Sequence, residues 1–171
     1  MKARKAAIDS SALIFAFKVP PMLKLLQKRF SKMLVAEAVY EEVVETGERM
    51  QKEEVSAIKQ SFESGFLQKQ KAKPLAQLKQ GLGAGECEAL SLSLYSKTIL
   101  VSDDRKARVA GKAIGVKVIP LSAFIIWARE NGGMTKTEAE ETLNDLVKKN
   151  YYIDADVYVK LLEKIREGMK S

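Results

Sequence analysis

Three short aliphatic runs decide what this chain can fold into: Ala6-Ala7-Ile8, Met33-Leu34-Val35 and Ile99-Leu100-Val101. Each is bounded by polar residues and is too short for a buried helix, so each reads as a buried strand. "VKVI" at 116–119 reads the same way, and "FLQKQKA" at 66–72 is a minor strand or loop. Helical patterns fill the spaces between them. Strands alternating with helices imply a parallel sheet covered on both faces. The expected fold is therefore α/β, with a central sheet of four to five short strands.

The helices announce themselves by their breakers and caps. In "SSALIFAF" either Ser10 or Ser11 can cap, and Pro20-Pro21 ends that helix and opens the next at its first turn. "AEAVYEEVVETGE" (36–48) carries valines at helical spacing, and residues 48–64 read as an exposed, highly charged helix. "GLGAGECEALSLSLYSK" (81–97) is glycine-rich and then helical from Glu86. "RKARVAGKAIG" is a helix stopped by Gly115, and "LSAFIIWARENGG" is a buried one. After Gly133 only helices follow: Thr135 and Glu138 form a capping box, and Asp154 or Asp156 can cap the last helix. Residues 1–133 are thus expected as the main domain. Residues 134–171 form a helical extension packed on that domain or on a dimer partner.

Composition narrows the chemistry. The chain has no histidine, which excludes Ser-His-Asp and Cys-His catalysis and zinc sites of the HExxH kind. Its one cysteine, Cys87, permits no intramolecular disulfide, fits a reducing cytoplasm and reads as a small buried apolar residue. No run is apolar enough to span a membrane. The beginning, "MKARKAAIDSSALIFAF", has basic residues before apolar ones, but Asp9 interrupts it, so a strand and helix are expected rather than a leader. Lysine and arginine outnumber aspartate and glutamate 29 to 22, giving a net charge of +7 and suggesting a polyanionic partner. Chemistry must come from carboxylates, hydroxyls, lysines or a metal.

Ligands of an open parallel sheet sit beyond the carboxyl ends of its strands. Two strand ends carry acids: Asp9 after "AAI", and Asp103-Asp104 after "ILVS". Taken singly, each aspartate is an ordinary helix N-cap. Brought together at one edge they repel, and a divalent cation is the usual remedy. Helical angles sort the glutamates. At about 100° per residue, Glu42 lies roughly 60° from Val39 and 20° from Val35, bordering the core stripe of Val35, Val39 and Val43. Glu37 and Glu41 point to solvent. Glu86 falls about 40° from Leu90, at the edge of the Cys87/Leu90/Leu94 stripe, and Glu88 on another face. "GLGAGE" lacks the GxGxxG spacing, and no GxxxxGK[ST] phosphate loop is present.

The ordered set "IDSSALI", "VAEAVYEEVV", "GAGECEALSLSL" and "ILVSDDRKARVAGKAIGVKVI" resembles a PIN domain. The likeness is to the archaeal and bacterial branch related to VapC-type toxins, in which a GE-x-EA helix stands. It covers about residues 4 to 131. The resemblance implies a three-layer α/β/α fold and Mg²⁺- or Mn²⁺-dependent endoribonuclease activity at an acidic site. Residue by residue, that site falls on Asp9, Glu42, Glu86 and Asp104, with Asp103 a neighbour that shares the last role or caps a helix. Asp9, Asp104, Glu86 and Asp103 are the implied metal ligands, and Ser11 and Ser102 the supporting hydroxyls. Alanine stands in "VAEAV" where many relatives have proline, so the choice of Glu42 over Glu41 rests on the angles.

Oxygen-only ligands select hard cations, one or two of which activate water for attack on phosphorus. Arg105, Lys106, Arg108 and Lys112 are candidates to hold an RNA backbone. RNA, an antitoxin protein and a second copy of the chain, as homodimer or higher oligomer, are the expected partners. Two other readings stand beside this one. The chain is a PIN-like RNA-binding module without catalysis, or a phosphatase or phosphoacceptor domain with Asp9 as nucleophile. The second is weakened because Asp9-Ser10-Ser11 has no further acid two residues on.

Overall fold

The computed structural model describes residues 4–168. Five strands form one sheet: β1 (Lys5–Ile8), β2 (Lys32–Ala36), β3 (Leu67–Gln70), β4 (Ile99–Val101) and β5 (Val118–Ile119). All pair in parallel, in the order β3-β2-β1-β4-β5. Ala6, Ala7 and Ile8 of β1 are all fully buried. Successive strand residues point to opposite faces, so burial of all three means that both faces are covered. The covering helices are α1 (Ser10–Lys18), α2 (Pro20–Arg29), α3 (Glu37–Tyr40), α4 (Gly47–Arg49), α5 (Val55–Glu63), α6 (Ala84–Tyr95), α7 (Arg105–Ile114), α8 (Ala123–Glu130), α9 (Lys136–Lys148) and α10 (Ala155–Glu167). A 3₁₀ turn at Ala76–Leu78 precedes α6.

Local rules hold at several junctions. Pro20 and Pro21 occupy the first positions of α2. Gly115 ends α7 in the left-handed region at φ 79°. Thr135 and Glu138 make both bonds of the capping box of α9. Three expectations need correction. The charged helix expected over 48–64 is interrupted: α4 stops at Arg49, Gln51 turns the chain at φ 53°, and α5 begins at Val55. Val55 and Ile58 are buried, so α5 has an apolar face and must re-aim it at the core. The glycine-rich helix begins at Ala84, ahead of Glu86. Val35, expected on a helix stripe, lies in β2.

The strand order positions the site. From β1 the chain steps outward through β2 to β3, then crosses back to place β4 on the other side of β1. The winding direction reverses between β1 and β4, and at such a switch point the connections leave in opposite directions and open a crevice. Asp9 follows β1 and Ser102 follows β4, paired across that crevice by the Asp9 N–H donating to the Val101 carbonyl at 3.1 Å.

After Gly133, α9 and α10 pack on α8 and on each other. The Arg129 Nε donates to the Ile165 carbonyl at 3.2 Å, tying α10 to α8. Of the two expected parts of the chain, residues 1–3 and 169–171 lie outside the described residues. Among the described residues no helix is long and apolar enough to cross a membrane.

Candidate active site

Asp9 is set by two backbone constraints. Its position at the end of β1 fixes its main chain, and its Oδ1 accepts from the Ala12 N–H at 2.9 Å, capping α1. The side chain is 4% exposed. Burial pushes its pKa up to about 7, aided by the nearby charges of Asp103 and Glu86 and opposed by the Ser102 hydroxyl and the Ala12 N–H. A buried carboxyl shifted so far, in a cleft, has the signature of a functional group.

The β4 end divides its work between two acids. Asp104 caps α7, its Oδ1 accepting from the Ala107 N–H at 2.7 Å, and it is exposed. Its own N–H donates to the Ser102 Oγ at 3.2 Å, and Ser102 is fully buried. Asp103 caps no helix. Its Oδ1 accepts from the Leu121 N–H at 3.1 Å and from the Tyr151 hydroxyl. Its Oδ2 is buried with no hydrogen-bond partner among the described residues. Burial raises the Asp103 pKa, while Tyr151, Leu121 and Arg108 oppose that rise. Of the two roles open to Asp103 from the sequence, neighbour or cap, the cap belongs to Asp104.

Glu42 reaches the cavity by a route the helical angles did not describe. Residues Glu41–Thr46 form a π-helical stretch, so a regular turn of about 100° per residue does not apply. Val43 and Val44 are both buried, and Glu42 is exposed at the cavity rim rather than bordering the core. Its Oε2 accepts from the Ser10 hydroxyl at 2.5 Å. Glu86, in the first turn of α6, folds back over Gly83. A Cβ on Gly85 would sit 3.3 Å from the Glu42 Oε2 and 3.6 Å from the Ser10 Oγ. Glycine at that position lets the start of α6 approach the Glu42–Ser10 pair. Two other glutamates have structural partners: Glu88 accepts from the Ala38 N–H at 2.9 Å at the start of α3, and Glu37 pairs with Lys69 at 3.7 Å.

These side chains line one cavity of about 310 Å³: Asp9, Glu42, Glu86, Asp103 and Asp104, with Ser10, Ser11, Phe15 and Asn150–Tyr152 completing its wall. Among the described residues, no three acids stand close enough to grip a single ion as their side chains lie. Like charges spread unless a positive charge sits between them. Their chemistry nevertheless suits a hard divalent cation. The carboxylate donors are all oxygen, Asp9 is buried, and Asp103 keeps a buried oxygen without a partner.

The basic candidates separate. Arg105 and Arg108 border a groove that adjoins the cavity and shares Asp103 and Asp104 with it. Lys106 faces a depression beside Leu78 and Leu82, which Arg105 also borders. Lys112 sits in the last turn of α7 and lines neither cavity nor groove.

Ser11, expected at the site, stands exposed on the cavity wall, while five other lining residues, Ser10, Phe15, Asn150, Tyr151 and Tyr152, were not among the expected site residues. Ser10 was weighed only as a cap; because Asp9 takes that role, the Ser10 hydroxyl is free for Glu42. Asn150, Tyr151 and Tyr152 come from the link between α9 and α10, which has no periodicity to read. The paired tyrosines ahead of Asp154 were the only cue.

A family model described as a PIN domain matches residues 5–167. Among solved structures, a PilT N-terminus domain protein from the hyperthermophilic archaeon Sulfolobus solfataricus is similar over 70% of this chain and 89% of that one. The two share 18% identity, with a TM-score of 0.50, so this likeness concerns the fold. No curated protein matches the chain.

Proposed function

The chain belongs to the PIN-domain family, whose members are generally nucleases, and from that premise we propose that it is a metal-dependent endoribonuclease. The observation that carries the reading is the meeting of Asp9, Glu42, Glu86, Asp103 and Asp104 in one cavity at the sheet's switch point. No histidine exists to do this chemistry otherwise. Asp9, Asp104, Glu86 and Asp103 would hold Mg²⁺ or Mn²⁺. When bound, such an ion lowers the pKa of a water and offsets charge on the phosphate.

The chain's own residues prepare the rest. The Val101 carbonyl and the Ala12 N–H fix Asp9 at the crevice. Ser10 holds the Glu42 carboxylate where it can orient a water. The N-termini of α1 and α7, capped by Asp9 and Asp104, present positive dipole ends to an anionic substrate. Arg105 and Arg108 hold phosphates beside the cut, and Ser11 and Ser102 support the acids. RNA is the substrate in this reading, and the cytoplasm its compartment.

Purified protein should cut RNA with Mg²⁺ or Mn²⁺, stop with chelator, and lose activity in an Asp9→Asn/Asp104→Asn double variant. Cleavage that survives both chelator and the double variant sinks the assignment. One observation also fits a second reading, a PIN-like RNA-binding module without catalysis: the groove bordered by Arg105 and Arg108 can hold phosphates with no metal bound. Salt-sensitive, metal-indifferent RNA binding with no cleavage would establish it. The toxin role is the finer part of the proposal. A protein encoded beside this chain that binds it and suppresses cleavage is the result it requires.

A further inference from the structure

Tyr152 is 81% exposed, more open than Val109 at 66% or Met50 at 61%. Single exposed aromatics are common and need no explanation by themselves. This one is distinguished by where it stands and how firmly. It lines both the acidic cavity and the adjoining groove of Arg105 and Arg108, at the boundary between them. Its hydroxyl donates to the Asp154 Oδ1 at 2.8 Å. The preceding residue, Tyr151, is 5% exposed, bonds Asp103 and meets Phe15 edge-on with ring centroids 5.1 Å apart. Asn150, at φ 66°, turns the chain out of α9 into this segment. The Tyr152 ring is thus carried on an anchored link, one residue from a contact with the acidic site.

We propose that Tyr152 is a stacking platform for an unpaired base next to the scissile phosphate, with Arg105 and Arg108 gripping the backbone alongside. The inference rests on the nuclease reading for the position of the scissile bond, though not for the stacking. Every base offers a π-face to an aromatic ring, and a basic border tracks the phosphates. A duplex keeps its bases stacked on each other, so the platform selects single-stranded RNA or a loop. Asp154 holds the ring through its hydroxyl and lies on the groove side.

The test measures binding of a labelled RNA of about 12 nucleotides, single-stranded or as a blunt duplex, in chelator, by anisotropy. Tyr152→Ala should weaken single-strand binding by roughly tenfold and leave duplex binding unchanged. Tyr152→Phe, which keeps the ring and drops the Asp154 bond, should bind within about twofold of the parent. Arg108→Ala should weaken both RNAs and flatten the salt dependence. Unchanged binding by Tyr152→Ala overturns the proposal, as does an equal loss in Tyr152→Phe or an equal loss on duplex. The two readings fail separately. Tyr152-dependent binding without cleavage in Mg²⁺ or Mn²⁺ removes the nuclease and keeps the platform. Cleavage and binding indifferent to Tyr152→Ala keep the nuclease and remove the platform.

Discussion

The ends of β1 and β4 solve the same problem with different numbers of residues. Each must turn a buried strand into a helix and deliver a carboxylate to the crevice between them. At β1, Asp9 does both: it caps α1 and is 4% exposed, and burial pushes its pKa up to about 7. At β4 the tasks are split. Asp104 caps α7 and stays open to water, while Asp103 turns inward to Leu121 and Tyr151. Two adjacent aspartates in "VSDDR" are therefore not redundant. The comparison teaches that cap and ligand are not rival explanations for a strand-end acid, because capping engages Oδ1 and leaves the other oxygen available.

The largest effect is expected where one residue carries everything. On the nuclease reading, Asp9→Asn should lower cleavage by about 10³-fold or more, since it removes one of the carboxylates proposed to hold the metal. The same change should stabilise the protein in chelator at alkaline pH. A folded-state pKa raised from 3.8 to about 7 means that the native state binds the proton more tightly. Asp9 thus contributes stability that is fully present below about pH 4 and is lost as pH rises through about 7. Asn does not ionise, so the variant should melt several degrees above the parent at pH 8, with the gap closing toward pH 4. Thermal melts at the two pH values check this. A variant less stable at pH 8 would show that burial does not penalise the Asp9 charge.

At β4 the two tasks should come apart. Asp104→Ala loses both, and stability should fall by about 1 kcal/mol, the usual worth of an N-cap. Asp104→Ser restores the cap and its stability but not the carboxylate, so cleavage should stay about 10²-fold down in both variants. Recovery of cleavage by serine would make Asp104 a cap alone and pass the metal-binding role to Asp103. Tyr151→Phe probes Asp103 directly. It removes the hydroxyl bonded to a half-buried carboxylate and should cost about 1.5–3 kcal/mol, read from denaturant melts. Its effect on cleavage should be smaller than that of either aspartate.

Much of this contrast was legible in the sequence, because it rests on local signals. Aliphatic triplets followed by aspartate, directly at β1 and after Ser102 at β4, mark both strands and both crevice positions. The absence of histidine leaves carboxylates, hydroxyls, lysines or a metal to carry any chemistry. Glu42 was selected by an angle drawn through Val35, which proves to be a strand residue, and across a π-helical stretch. The angle set Glu42 at the border of the core, whereas the structure leaves it exposed on the cavity wall. What stayed illegible depends on contacts distant along the chain. Nothing near Asp103 announces Tyr151, 48 residues away, and the link that carries Tyr151 has neither strand nor helix periodicity. Ser10 was hidden for a different reason: its role follows only once Asp9 has taken the cap.

The smallest expected effect tests that last point at the β1 end. Ser10 and Ser11 both line the cavity, yet only the Ser10 hydroxyl is bonded to an acid, at 2.5 Å from the Glu42 Oε2. Glu42 is exposed and held by no other bond among the described residues, so without Ser10 its carboxylate is free to swing into solvent. Ser10→Ala should lower kcat by about fivefold with KM little changed, because about 1 kcal/mol of positioning is lost where the water is oriented. Ser11→Ala, whose hydroxyl is bonded to no acid among the described residues, should have the smaller effect, within about twofold of the parent. If the two alanine variants behave alike, Glu42 is not positioned through Ser10, and the β1 end contributes Asp9 alone.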